Sequence, residues 1–411
     1  AADLSFATQH IAGTNKQRFT KKMAQAMLAD VALYEGTYCK YRKAEDTAGK
    51  GPDAERAKKY LNICVEACKV IMDDKELKLN DSYQGNYNSI DLSKNPEMIF
   101  YKPYSKNTLM HSLIDYTVNT GGTNGMTKDA FDNYLFLDGK PRASTALNKT
   151  DAPKMVIVNV QKKVDGVMKT VQDTSYHIGH LFTVRDKRLS ATLDSVLAFK
   201  GKAYSRAGSN AFTSTTGYGV AKYDNPQLLT TTERNNINRQ YTDAPIYWLS
   251  VIYLNYAEAM AELGSITQDD LDKSVNLLQA RAGLPNMTLT PDADPANNMG
   301  VSNLLWEIRR ARRCELMFDN WYRYWDLIRW HQLELVDSKA HPNIYRGANM
   351  TTVDKPQVEL DTLNNAAPWE VYMVGSNTRK QVRTYDKKYY FYPIPTGQKA
   401  LNGNLEQNPG W

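Results

Sequence analysis

The chain has 411 residues, 42% hydrophobic and 23% charged, and its 51 Lys and Arg against 45 Asp and Glu give a formal charge of +6. This composition allows a sizeable globular core and excludes a disordered or fibrous chain. The basic residues are scattered except at 309–313, so a nucleic-acid surface is not indicated. No apolar run approaches the roughly 18 residues of a membrane-spanning helix, and residues 1–10 lack the pattern of a signal peptide.

The chain has four cysteines, Cys39, Cys64, Cys68 and Cys314. That is too few to build a disulfide scaffold at this length. Cys64 and Cys68 lie four apart in a helical pattern, with no second Cys pair or nearby His to complete a zinc site. We therefore expect all the cysteines to be core residues.

Two antiparallel helical hairpins are predicted from apolar residues at three- to four-residue spacing. The first joins residues 17–38 to 53–74, and the second joins residues 246–263 to 269–282. The second contains YAEAMAELG, which resembles the alanine-rich packing of a tetratricopeptide repeat. One further long helix is predicted over residues 302–331.

The remaining segments are rich in Gly, Asn, Thr and Ser and contain short strand-like runs, MVIVNVQKKV, EMIFYKPY and a strand-pair signal at KYYFYPIP. We predict a mainly α fold: a tetratricopeptide-like helical-repeat scaffold at 15–80 and 245–335, a loop-rich insertion at 81–245, and an irregular segment at 336–411. All of this forms one domain, 1–411, with a few short β-strands. Long loops commonly carry function, so the insertion is the first place to seek a site.

Catalytic motifs are missing from the sequence. It contains no GxSxG, HExxH or GxxxxGK motif, and no GxGxxG between a strand and a helix. A glycosidase needs only two opposed carboxylates, which no motif reveals. The acids considered for that role are better explained as structural ion pairs: Asp186, Glu258, Glu315 and Asp326. We predict no catalytic residue and no cofactor.

The densest charged segment is IRRARRCELMFDNWYRYWDLIRW, residues 308–330. Arg312 and Glu315 lie three apart, as do Asp326 and Arg329, so each pair can share a helix face. An anion site is one interpretation. A buried salt-bridge network is favoured over it, wrapped by three tryptophans, Trp321, Trp325 and Trp330.

The stretch TPDADPANN places Asp292 and Asp294 close together. A calcium loop is conceivable, but the further ligands of an EF-hand are missing. A solvated turn is favoured, and no metal site is predicted.

Six segments, in order, resemble the SusD/RagB family of outer-membrane nutrient-binding lipoproteins. They are RFTKKMAQAMLADVALYEGTY, NPEMIFYKPY, TKDAFDNYLFLDGKP, FTVRDKRLSATL, PIYWLSVIYLNYAEAMAELG followed by ARAGLP, and YFYPIPTGQKALNGNLEQNPGW. The resemblance runs from Arg18 to Trp411. It departs from the family pattern at Lys187, where proline is usual, and at Asp319-Asn320, which replace Glu-Gly. Family members carry further N-terminal sequence with a lipidated cysteine, so we expect the domain to be incomplete at its N-terminus.

The resemblance implies a lipid-anchored, exported protein at the cell surface, on the outer membrane, which acts as a lid on a SusC-like, TonB-dependent transporter. It implies glycan uptake by carbohydrate binding, with oligosaccharides as ligands, and no enzyme activity. A peptide-binding, RagB-like lid of an oligopeptide transporter is the alternative. A helical-repeat scaffold or an unrecognised hydrolase also stays open, while nucleic acid is not an expected partner.

Sugars present apolar faces that stack on aromatic rings and hydroxyls that pair with polar side chains. Tyrosines and asparagines in the loop-rich insertion are therefore the predicted ligand contacts. They are Tyr116, Tyr176, Tyr204 and Tyr218, with Asn119 and Asn124 as polar partners.

Overall fold

A computed structural model describes residues 1–113, 124–204, 212–225, 227–228, 233, 238–354, 357–361, 372–374 and 383–411. The helices in these ranges are α1 (Ala2–His10), α2 (Lys21–Tyr41), α3 (Ala54–Met72), α4 (Lys128–Asp132), α5 (Gly179–Phe182), α6 (Lys187–Thr192), α7 (Leu249–Glu262), α8 (Gln268–Asp272), α9 (Val275–Ala282), α10 (Asn303–Glu315), α11 (Tyr322–Arg329) and α12 (Thr396–Leu401). The strands are β1 (Met98–Lys102), β2 (Lys154–Val164), β3 (Val167–His177), β4 (Ala244–Trp248), β5 (Arg346–Asn349), β6 (Leu360–Asp361) and β7 (Tyr372–Val374). The predicted mainly α class is confirmed.

The first predicted hairpin is confirmed as α2 and α3. The Thr20 side chain caps α2 by accepting from the Met23 amide at 3.1 Å, and Asp53 caps α3 by accepting from Arg56 at 2.9 Å. The two helices approach so closely at Gly36 that a Cβ on this residue would lie only 2.8 Å from Leu61 Cγ. The hairpin therefore depends on a small residue at that contact.

The second hairpin forms with different bounds from those predicted. Residues 244–248 are strand β4, which pairs antiparallel with β1, so α7 begins only at Leu249. Its partner is split into α8 and α9, and the Ser274 hydroxyl between them donates to the Asp270 carbonyl. Apolar residues of α2, α3, α7 and α10 share one large core, in which Cys64 and Cys68 are fully buried.

The predicted helix over 302–331 is not continuous. It breaks at residues 316–321 into α10 and α11. The reason lies in contacts of the intervening turn with a distant loop, and this turn borders the candidate site described below.

Two of the three strand predictions are confirmed. MVIVNVQKKV lies in β2 and pairs with β3, and EMIFYKPY contains β1. The strand pair predicted at KYYFYPIP is wrong, because residues 387–390 form a 3₁₀ turn in which the Asp386 side chain accepts from the Lys388 amide at 3.0 Å. The prolines that follow, Pro393 and Pro395, have no N–H to donate to a ladder.

The loop-rich insertion packs a second core against α10. It joins aromatic residues of the insertion, among them Phe131 and Tyr134, to Cys314 of α10 and to Met350. Much of the insertion is thus a folded layer on the helices. None of the described helices is both long and apolar enough to cross a bilayer.

Candidate functional site

The acids considered as catalytic candidates lie in buried ion pairs. Arg329 donates to both Glu258 oxygens at 2.6 and 2.7 Å, and Asp326 accepts from Arg312 at 2.9 Å and from Arg329. Burial alone would raise the pKa of Glu258, but the surrounding arginines overcome this effect and hold it at about 2. The prediction that these acids form structural ion pairs is confirmed for Glu258 and Asp326.

The remaining acids of that set follow the same pattern with one change of partner. Asp186 pairs with Arg188 at 2.6 Å, and Glu315 pairs with Arg188 at 2.9 Å and with Arg281. Glu315 thus takes its partners from α6 and α9 and not from Arg312, the neighbour predicted on its own helix. The network joins separate elements and fixes how α10 lies among them.

The predicted solvated turn at Asp292 and Asp294 is confirmed for Asp292, which is exposed, and is wrong for Asp294. Asp294 is buried, pairs with Arg310 and accepts from the Trp306 indole at 3.2 Å. Among the residues that the structure describes, no group of three or more His, Cys, Asp or Glu side chains is arranged to hold a metal ion.

The tryptophans of this region divide into two roles. Trp330 is buried and donates from its indole nitrogen to Glu258 at 2.6 Å, as expected of a residue that wraps the network. Trp321 is 79% exposed, and the expectation that it wraps the network is wrong. Trp325 lies between these extremes, with 43% of its surface exposed. An exposed tryptophan on a folded turn is a feature typical of binding surfaces.

The backbone around Trp321 is unusual. Phe318, Asn320 and Trp321 have φ values of 68°, 40° and 59°, in the left-handed region that L residues with a Cβ rarely adopt. Such a conformation persists only where surrounding contacts hold it, and it is frequent at functional sites. This turn is the one that breaks the predicted long helix.

Two residues of the insertion hold the turn. Lys222 Nζ donates to the Met317 carbonyl at 2.8 Å and to the Asp319 carboxylate at 2.7 Å. The Tyr223 hydroxyl lies 3.0 Å from both the Phe318 carbonyl and Asp319. These contacts fix three consecutive residues and leave the Phe318 ring 41% exposed.

The Lys222–Asp319 pair lies in a desolvated place. Lys222 is fully buried, with its ammonium 3.7 Å from the centroid of the Tyr87 ring. Burial lowers the pKa of Lys222 and raises the pKa of Asp319, and each effect is opposed by the charge of the other partner. Removing either partner would leave an uncompensated group in the core.

Beside this turn lies a cleft of about 580 Å³. Phe318 and Trp321 form one wall, and Tyr104, His111 and Leu113 line the cleft as well. The Tyr104 and His111 rings meet edge to face with centroids 4.6 Å apart, and burial lowers the pKa of His111. The accessible lining is mostly apolar, and its polar residues include Thr242, Asp243 and Asn320. Charged residues line it as well: Arg312, Arg313, Asp319, Arg323 and Asp326.

Of the six ligand contacts predicted from the sequence, four lie within the described residues, and two of these four are buried. Tyr116 and Asn119 lie outside the described residues. Tyr176 and Tyr218 are 1% and 0% exposed, with Tyr218 stacked on Phe131 at 4.8 Å, so neither ring can face a dissolved ligand in this structure. They serve the second core.

The other two predicted contacts remain accessible. Tyr204 is partly exposed and meets Phe212 edge to face at 6.1 Å. Asn124 is exposed, and its carbonyl accepts from the Ser214 hydroxyl at 3.1 Å. Neither residue lines the aromatic cleft. Leu113 does line this cleft, and in the sequence it lies three residues before Tyr116 and six before Asn119.

The sequence pattern does not single out Phe318 and Trp321 as candidate ligand contacts, because both lie within a strongly helical pattern. The available signal was the replacement of Glu-Gly by Asp319-Asn320. A glycine would take positive φ without strain, so an asparagine at φ 40° marks a backbone held by other contacts.

A family model for the SusD family matches residues 70–411. No curated protein matches the chain significantly. Among solved structures, a SusD-like carbohydrate-binding protein from Bacteroides fragilis is similar over 98% of this chain and 69% of its own, with a TM-score of 0.65 and 20% identity. A second SusD-like protein from the same organism is similar over 100% of this chain and 70% of its own, with a TM-score of 0.59 and 21% identity. A protein solved with a xylogluco-oligosaccharide is similar over 100% of this chain and 72% of its own, with a TM-score of 0.56 and 16% identity. The matched family model, which spans most of the sequence, shows that this chain belongs to the SusD family.

Proposed function

We propose that this protein binds nutrient oligosaccharides at the bacterial cell surface and delivers them intact to a SusC-like, TonB-dependent transporter of the outer membrane. The observation that carries the proposal is the pair of exposed rings, Phe318 and Trp321, on a turn that buried contacts hold in place. Rings fixed in this way lose little conformational entropy when a sugar stacks on them.

The chemistry of the cleft supports a glycan over a peptide. Sugar rings need flat apolar surfaces with a few hydroxyl partners at the rim, and this cleft supplies aromatic walls with Asn320, Thr242 and Asp243 beside them. An extended peptide would instead pair with an open strand edge. Among similar structures, one is described as carbohydrate-binding and another holds a xylogluco-oligosaccharide.

Family membership supports the proposed location and partner. We propose a lipid anchor that precedes the sequence described here and a docked position over the transporter mouth. The protein acts as a binding protein and not as an enzyme in this proposal. The buried arginine partners of Glu258 and Glu315 support this view, because they lower the pKa of both acids, so neither takes up a proton near neutral pH.

A calorimetric panel of oligosaccharides and short peptides tests the proposal. We expect at least one oligosaccharide class to bind, and Trp321→Ala to weaken that binding by at least tenfold, about 1.4 kcal/mol, because the main stacking surface is lost. Chromatography of the recovered sugar should show it uncleaved.

Phe19→Ala is the matched control, since Phe19 is also exposed but does not line the cleft. This variant should bind like the wild type. Binding of peptides alone, or release of shortened sugars, would contradict the proposal.

A further inference from the structure

Strands β2 and β3 form a long ribbon of two strands. All eleven residues of each strand pair in register, from Lys154 with His177 to Val164 with Val167. The connecting Asp165 and Gly166 have φ values of 53° and 83°, as a tight two-residue hairpin turn requires. At about 3.4 Å per residue the ribbon extends roughly 35 Å.

One face of the ribbon is rich in valine. Side chains alternate between faces along each strand, so the register places six valines together: Val156, Val158, Val160, Val164, Val167 and Val171. Val160 lies directly opposite Val171 at the centre. The middle of the other face is polar, with Asn159, Gln161, Thr170 and Gln172.

The valine face is partly accessible in the described part of the chain, with Val158, Val160, Val164 and Val171 partly exposed. The sheet has only these two strands, and none of the six valines belongs to a core cluster of the described residues. Val156 and Val167 are 39% and 60% exposed. A two-stranded ribbon is marginally stable in water, so an apolar face of this length calls for a partner.

Charged residues lie on both sides of the centre of the valine face: Lys162 and Lys169 face each other on the side of the hairpin turn, and Asp173 lies on the other side. Lys169 lies two residues from Val171 towards the hairpin turn, and Asp173 lies two residues from Val171 towards the opposite end of the ribbon. Asp173 already accepts from Lys162 and Lys202 at 2.7 Å, while the acid nearest to Lys169 is Asp165 at 3.8 Å. In the described structure, no carboxylate therefore lies within hydrogen-bonding distance of the Lys169 ammonium on this face.

We infer that the valine face binds a second copy of this chain, with the two ribbons antiparallel and face to face. A twofold axis through the Val160–Val171 pair sets Lys169 of each copy against Asp173 of the other. Ribbons stacked in the same direction would instead set Lys169 against Lys162 of the second copy. Like charges in contact are destabilising, so the charges favour the antiparallel arrangement.

The size of the face predicts a weak dimer. A ribbon about 35 Å long and about 10 Å wide offers roughly 350 Å² per copy, less than half of a standard interface. We therefore expect association at high protein concentration, on the order of 100 µM, and monomers when dilute.

Sedimentation equilibrium of the whole chain tests this inference against the monomer mass of 46.6 kDa. The wild type should approach twice that mass at high concentration. Lys169→Asp and Asp173→Lys should each weaken the dimer at least tenfold, because each sets like charges together. An equimolar mixture of the two variants should recover it, since both cross-copy contacts then join Lys to Asp.

Thr170→Asp is the matched control, because this residue lies next to Lys169 but on the opposite face. Circular dichroism should show that every variant folds like the wild type. A wild type that stays monomeric would overturn the inference, as would a dimer that survives Lys169→Asp. Loss in both variants without recovery on mixing would overturn the antiparallel pairing.

Discussion

The aromatic wall of the cleft depends on single residues some hundred positions away in sequence. Tyr223 and Lys222 contact the carbonyls of Phe318 and Met317, and both contact Asp319. Their side chains offset part of the cost of the left-handed backbone at Phe318, about 1–3 kcal/mol in general. The aromatic surface of the cleft is therefore built by positioning residues as well as by the rings themselves.

Replacing Tyr223 with Phe removes only the hydroxyl that reaches the turn. We expect the affinity for the selected oligosaccharide to fall about fivefold, near the 1 kcal/mol of one hydrogen bond, because the turn is held less firmly. The measurement is titration calorimetry, with circular dichroism to confirm the fold.

The same substitution in the Trp321→Ala background distinguishes positioning from a general effect. If Tyr223 acts through the turn, it should add little to the loss already caused by Trp321→Ala. Fully additive losses would show that Tyr223 contributes in another way.

At the scale of elements, buried ions join helices that the sequence pattern treats separately. Glu258 of α7 meets Arg329 of α11, and Arg312 of α10 meets Asp326 of α11. Breaking such a pair is costly because it leaves a charge alone in the core. The network therefore fixes α11 on the scaffold after the turn has interrupted the helix.

The pH dependence of Glu258 follows from its pKa. The folded value is about 2 against an ordinary 4.5, so this group stabilises the fold fully above pH 4.5 and its contribution is lost as the pH falls towards 2. We expect Glu258→Gln to lower the free energy of unfolding at pH 7 by about 3 kcal/mol, and the difference from wild type to shrink in acid.

Urea unfolding at several pH values between 7 and 3 measures this difference. Glu66→Gln serves as the control, because Glu66 forms an exposed pair with Lys69 and should change the stability by less than about 0.5 kcal/mol. A Glu258→Gln difference that stays constant with pH would show that its charge is not the source.

At the scale of the whole molecule, the sequence predicts the scaffold better than the site. Helices with regular apolar spacing, such as α2 and α3, appear within a few residues of their predicted bounds. The break between α10 and α11 could not be predicted, because it depends on Lys222 and Tyr223, which no local pattern connects to residue 319. Tyr176 and Tyr218 were chosen for their loop position, and burial in a second core cannot be read from that position.

In the proposed function, an uncleaved sugar binds at the aromatic cleft. A crystal structure of the protein with the tightest oligosaccharide of the binding panel tests it most directly. We predict an intact sugar with a ring stacked on Trp321, close to Tyr104 and His111. A sugar bound elsewhere with an empty cleft, or a cleaved product between opposed acids, would contradict the account.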